Sequence, residues 1–430
     1  MVPFPYDAPA NGFENDTRHA KAALYALIGL VSAFGLASAD FDLPALGRGL
    51  AAIIVSPDTL INDYVAIAGI GAAFVNAALC LAVAVAVLKA TKVSVSGPAI
   101  AAAFTIAGFS LFGKNIANIW PGLLGAYLYA VASRRPFGEN LIVALFGTAL
   151  APLSSEIAFG LGLAVPWNFV MAIAGGAAAG FLLSPIARHV LDFHRGYNLY
   201  NTGFAAGFIG TVTLSAFKAL GITLHGGFHW AELGPGPTLP YLAAGFVAMI
   251  AAGATLDKGW AASYKRLCRS SGRLVTDFVR FFGLGATLVN MGLMGLITSG
   301  VMLAIGASWN GPMIGGLLTV VGFSAFGKHP RNTLPTMLGV VAMALLSDYG
   351  LDSPGSQLAV LFASTLAPIA GEYGPVAGVA VGMLHLVLVQ VVGSLHGGLN
   401  LYNNGFAGGL SAGLILPVLE WIREWRRHEV

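Results

Sequence analysis

Histidine, asparagine, tyrosine, lysine and glutamate stand at matching places in two parts of this sequence, inside stretches that are otherwise apolar. The pattern HxGxNLYNxGF holds His194, Asn198, Tyr200 and Asn201, and again His396, Asn400, Tyr402 and Asn403. Such a set can exchange hydrogen bonds with a solute, and histidine can carry a proton near neutral pH. Small residues follow each copy (Gly203, Ala205, Ala206, Gly207; Gly405, Ala407, Gly408, Gly409). Asparagine capping and close helix packing account for the glycines and part of the asparagines. They leave the recurring histidine and tyrosine to a pathway role.

A second pattern, LxxxxLAPxxxE, places Thr148, Pro152, Ser154, Ser155 and Glu156 in one copy and Ser364, Thr365, Pro368 and Glu372 in the other. Proline removes a backbone donor and frees a carbonyl one turn back. Within a bilayer such a break must face protein or a water-lined cavity. A carboxylate there is a functional candidate, and the alternative is a charge at a segment end on the surface. The third pattern, GFSxFGKxxxNxxP, holds Phe109, Lys114 and Asn118, then Phe323, Lys328 and Asn332. Each lysine can snorkel, attract an anion or pair with a glutamate. The phenylalanines fit core packing or an apolar slot. Asn76 and Asn290, inside apolar helices, are expected to bond between helices.

No HExxH, GxGD or nucleotide fingerprint occurs. His225 and His229 are the one pair at i, i+4, and they fall in a Gly/Pro loop. Cys80 and Cys268 are the only cysteines. We therefore expect no enzyme, catalytic residue, metal or cofactor.

The elements that carry these residues are set by composition. Of 430 residues, 57% are hydrophobic and 10% charged, against about 25% charged in soluble chains. Few charges and long continuous apolar runs indicate a helical polytopic membrane protein and exclude a barrel. A net charge of +3 excludes nucleic acid as a partner. The expected partners are the bilayer and a small solute, with H+ or Na+ if transport is coupled. A homo-oligomer is compatible.

Four blocks repeat in order. Residues 63–76 match 277–290 at seven of fourteen positions, and 94–125 match 308–339 at fifteen of thirty-two. LFGTALAPLSSE (145–156) pairs with LFASTLAPIAGE (361–372), and the His-Asn-Tyr blocks share eight of eleven positions. The expected organisation is a polar tail over 1–17, a membrane repeat over 18–220, an external loop over 221–236, a second repeat over 237–426 and a short tail over 427–430. A basic connector, 257–276, lies inside the second repeat.

Each repeat carries about seven membrane segments, in the first copy 20–39, 63–88, 95–113, 115–132, 140–165, 167–187 and 199–220. Segments 95–132 and 309–347 can span or re-enter. An odd number of crossings inverts the second copy. With the N-terminus in the cytoplasm, fourteen crossings put nineteen Lys and Arg inside and three (Arg48, Lys114, Lys218) outside. The expected fold class is an all-α polytopic membrane protein with two inverted repeats and broken or re-entrant helices. It lies in the plasma (inner) membrane with both termini cytoplasmic. Inverted repeats with broken helices typify transporters whose site lies near the midplane. The leading expectation is a transporter or channel-like facilitator for a small polar or charged solute; the alternatives are a membrane enzyme or a structural protein.

The sequence resembles a family of uncharacterised bacterial multi-pass membrane proteins over essentially its whole length. A looser architectural likeness, through Gly196-Tyr197-Asn198 and Gly398-Leu399-Asn400, is to urea transporters. It implies inverted halves with half-helices and phenylalanine slots, and no residue assignment.

Overall fold

The computed structural model describes residues 10–224, 226–236 and 238–428. The tail residues 1–9, His225 and residues 429–430 lie outside the described residues. The chain is all-helical: α1 Ala10–Ala37, α2 Leu43–Val55, α3 Tyr64–Ala90, α4 Gly97–Phe109, α5 Ile119–Ala132, α6 Phe137–Gly147, α7 Ala151–Ser155, α8 Trp167–His194, α9 Asn201–Ala219, α10 Leu239–Leu256, α11 Trp260–Leu267, α12 Phe278–Phe282, α13 Leu284–Ala304, α14 Gly311–Phe323, α15 Pro330–Leu346, α16 Pro354–Phe362, α17 Ala367–Tyr373, α18 Pro375–His396 and α19 Asn403–His428. Among the described residues, eight helices are long and apolar enough to cross a bilayer. Outer helices such as α1 and α10 leave most of their apolar surface uncovered by protein. Water would not tolerate that face, whereas lipid does.

The interior is built around α4 and α14, both of which are almost wholly buried. Each begins with a capping side chain and a proline: Ser96 Oγ accepts from Ala99 N at 3.4 Å, and Asn310 Oδ1 accepts from Met313 N at 3.1 Å. The two helices run antiparallel. A Cβ on Gly108 would meet Gly315 O at 2.6 Å, and one on Gly322 would meet the Ala101 carbonyl at 3.2 Å. Glycine is required there because the backbones touch.

Each N-terminus is also held by a carboxylate from the other part of the chain. Asp63 accepts from Gly311 N at 3.1 Å while capping α3, and Asp277 accepts from Gly97 N at 3.0 Å while capping α12. Burial raises the pKa of both carboxyls above the ordinary aspartate value. Around this pair, α5 packs on α8 and α15 on α18, with α1 on α3 and α10 on α13. Gly69 (φ 79°) and Gly283 (φ 82°) break the start of α3 and separate α12 from α13. Both lie in the left-handed region that favours glycine.

Several elements lie where the sequence reading placed none, and two lysines lie elsewhere than it placed them. Residues 43–55, read as loop, form α2, and α1 already begins at Ala10 within the supposed tail. The connector contains α11. With 13 residues each, α4 and α14 are about 20 Å long at 1.5 Å per residue, short of the ~30 Å hydrocarbon core. Lys114 and Lys328, threaded above as loop residues on opposite sides, are fully buried in the turns that follow these helices. They leave the topological charge count, which becomes 18 against 2.

Candidate functional site

The buried lysines sit where four helix ends meet. Each tip is pinned by the asparagine of the preceding long helix. Asn76 Nδ2 donates to the carbonyls of Ser110 (2.7 Å) and Lys114 (2.8 Å), and Asn290 Nδ2 to those of Ser324 (2.8 Å) and Lys328 (2.7 Å). These bonds satisfy carbonyls that the helix ends would otherwise orphan.

The lysine head groups reach across the chain. Lys114 Nζ donates to Tyr402 Oη at 2.6 Å, and Lys328 Nζ to Tyr200 Oη at 2.5 Å and Ser364 Oγ at 2.7 Å. Each also lies over two aromatic rings. Lys114 Nζ is 5.3 Å from the Phe109 centroid and 4.6 Å from that of Tyr402. Lys328 Nζ is 5.0 Å from Phe323 and 4.4 Å from Tyr200. Among the described residues no carboxylate pairs with either lysine.

The His-Asn-Tyr blocks form left-handed links into α9 and α19, through Gly196 (φ 82°) and Gly398 (φ 79°). Asn198 Nδ2 donates to Gly405 O at 3.0 Å, and Asn400 Nδ2 to Gly203 O at 3.2 Å. Their Oδ1 atoms accept from Tyr200 N (3.2 Å) and Tyr402 N (3.0 Å). The first turns of α9 and α19 therefore abut, with a Cβ on either Gly203 or Gly405 only 3.3 or 3.0 Å from the other's Cα. His194 Nε2 pairs with Asn201 Oδ1, and His396 Nε2 with Asn403 Oδ1, each at 2.9 Å. Both asparagines donate onward to α8 and α18, at Ala187 O and Val389 O. These histidines lock helix packing, and neither lines the cavity.

That cavity, about 330 Å³, lies at this junction. Its walls come in matched pairs from the two repeats: Thr105 and Thr319, Phe109 and Phe323, Phe146 and Phe362, Leu199 and Leu401, Tyr200 and Tyr402, Gly203 and Gly405. Asn201 and Asn404 add polar edges. The hydroxyl of Thr319 donates to Gly315 O at 2.8 Å, whereas that of Thr105 is buried without a hydrogen-bond partner.

The LxxxxLAPxxxE segments flank the site. Helix geometry tightens to a 3₁₀ turn at Thr148–Leu150 and Ala363–Leu366, just before each proline. Thr365 Oγ1 donates to Asn198 Oδ1 at 2.5 Å and accepts from Tyr200 N at 2.9 Å, so it belongs to the junction. Thr148 spends its hydroxyl on Leu145 O at 2.8 Å. The two glutamates part company. Glu156 is buried at the start of a π turn, away from the cavity lining. Glu372 sits at the protein edge, 3.3 Å from Arg423, with side chains 34% and 50% exposed. The expectation that it lines a pathway is corrected: α17 ends there, and the carboxylate points to an exposed cation.

One polar centre escaped the sequence reading. Asp58, on the link between α2 and α3 and outside the eight spans, is fully buried. Its carboxylate accepts from Asn62 Nδ2 (2.8 Å), Tyr64 Oη (2.9 Å), Ser155 Oγ (2.9 Å), Asn118 Nδ2 (3.1 Å) and Asn115 Nδ2 (3.3 Å). Burial pushes its pKa up to about 6, against the pull of these donors. Aligning the links SPDTLIND (56–63) and SSGRLVTD (270–277) finds it, because Gly272 takes its place in the second copy. Nearby His229 holds Asn62 Oδ1 through Nδ1 at 2.6 Å, which gives that histidine a structural task. Among the described residues no cluster of three His, Cys, Asp or Glu could hold a metal.

Residues 44–219 and 256–421 match a family described as protein of unknown function (DUF1576). The chain belongs to that family. No curated protein and no solved structure matches it. The likeness to urea transporters is therefore withdrawn. The glycine-asparagine segments behind it serve this DUF1576 chain as turns that bring α9 and α19 together.

Proposed function

We propose that this polytopic membrane protein is a transporter or facilitator for a small solute, built from two inverted halves, with the central cavity as its binding site. The observation that supports this reading most is the lining, to which equivalent residues of both repeats contribute in pairs. A site on the pseudo-symmetry axis between inverted halves can open to either side by rocking one half against the other. The protein lies in the plasma (inner) membrane with both termini cytoplasmic. In a coupled cycle we assign proton binding to Asp58, a buried carboxylate surrounded by neutral donors.

Accessibility tests this without knowing the solute. Ile142→Cys and Thr276→Cys, both lining the cavity, are introduced separately with Cys268→Ser. Membrane-impermeant maleimide is applied from each side in turn, to right-side-out and inside-out vesicles. A transport site labels from both sides, and a facilitator in both at once. Absence of labelling from either side would make the cavity a packing void and refute the reading.

A further inference from the structure

We infer that the cavity takes an organic monoanion, a small carboxylate with an apolar body; this rests on the reading of the cavity as the solute site. Three independent features set the class. The first is the wall. Phe109, Phe146, Phe323 and Phe362 surround a volume of about 330 Å³, and no acidic side chain lines it. Such a surface accepts hydrocarbon and offers nothing to hold a cation's counter-charge.

The second is the polar end. The first turn of α9 lies open at the cavity through Asn201, Thr202 and Gly203, with no side chain capping its amides. Helix N-termini carry free donors and partial positive charge, which suits an anion. The first turn of α19 abuts it and adds Asn404 and Gly405. Tyr200 and Tyr402 stand at the same end, and each phenol oxygen already accepts from a buried lysine. With that oxygen accepting, the phenol's own O–H is the group that can donate to a ligand. The third is Thr105, 1% exposed, lining the cavity with a hydroxyl that has no partner. A buried orphan hydroxyl costs stability unless something accepts from it, and a carboxylate oxygen does.

Aromatic walls can also cradle a cation. The two lysines decide against it. Their Nζ atoms lie within 5.3 Å of the Phe109, Phe323, Tyr200 and Tyr402 ring centroids. They occupy the aromatic faces that a second cation would need.

The test uses full-length Ile142→Cys protein with Cys268→Ser in nanodiscs. Three probes share one body and differ in the head: hexanoate, hexanamide and hexylamine. Hexanoate should slow maleimide labelling about tenfold at saturation, while the other two change it less than twofold. Thr105→Val should raise the hexanoate concentration for half-protection about tenfold, the worth of one hydrogen bond to a charged group. Thr105→Ser should restore it, which separates loss of the hydroxyl from misfolding. Equal protection by hexanamide, stronger protection by hexylamine, or none by any probe would overturn the anion class while leaving an accessible cavity as a transport site. A cysteine that never labels, with no probe present, would remove both readings.

Discussion

Asp58→Asn isolates one buried charge, and its effect on stability should depend on pH in a way that can be worked out beforehand. The folded protein holds this carboxyl at about 6 against an ordinary value of 3.8. A raised carboxyl binds its proton more tightly when folded, so the folded state is favoured at low pH. That advantage is fully present below pH 3.8, is lost as pH rises toward 6, and is constant above it. The span corresponds to about 3 kcal/mol. Asp63 and Asp277, also raised by burial, add slope of the same sign. His329, lowered by burial to about 4, acts oppositely, since its unfolded form binds the extra proton. The wild-type curve alone therefore mixes several groups, and the decisive quantity is wild type minus Asp58→Asn. That difference should fall by about 3 kcal/mol between pH 4 and 7 and flatten above, in SDS-titration unfolding followed by circular dichroism. The asparagine keeps one oxygen for the four donors on Oδ2, so the variant should stay folded throughout. Asp58→Ala orphans all five donors and should cost about 4 kcal/mol at pH 7. A flat difference, or one that rises with pH, would refute the account of Asp58 as a charge held against burial.

Three further outcomes are expected. Asn76→Leu and Asn290→Leu each strip two buried carbonyls of a donor, so each should lower stability by about 2–4 kcal/mol, as measured by the same unfolding titration, and Asn76→Leu should cost the more because Asn76 Oδ1 also accepts from Ile116 N at 3.2 Å whereas Asn290 Oδ1 has no partner. Glu372→Ala should change stability by less than about 1 kcal/mol, because its ion pair with Arg423 is solvent-screened; a larger loss would return Glu372 to the candidate list. A reporter fused after the C-terminus should read cytoplasmic and one inserted at Gly234 external; finding both on one side would contradict inverted halves.

Much of this protein is legible without coordinates, and the reason is physical. Apolar runs of bilayer length, sparse charge and proline-marked breaks follow from the solvent the chain must satisfy, so the helical membrane class was already written in composition and periodicity. Residues of the matched blocks come together in the fold: Lys114, Lys328, Tyr200, Tyr402, Asn198, Asn400, Phe109 and Phe323. What a one-dimensional repeat cannot give is the crossing of partners. The sequence left each lysine free to pair with a glutamate, whereas each lysine reaches the tyrosine of the other repeat. That pairing arises because α4 and α14 pass antiparallel through glycine contacts and the first turns of α9 and α19 abut. The same indeterminacy hid α2, whose 13 residues are shorter than a span, and Asp58, whose donors come from three separate stretches of chain. It also made Glu156 and Glu372 look equivalent. Their motifs match, but one carboxylate is enclosed by the fold and the other is left at its edge beside Arg423, a difference set by what packs around them in three dimensions.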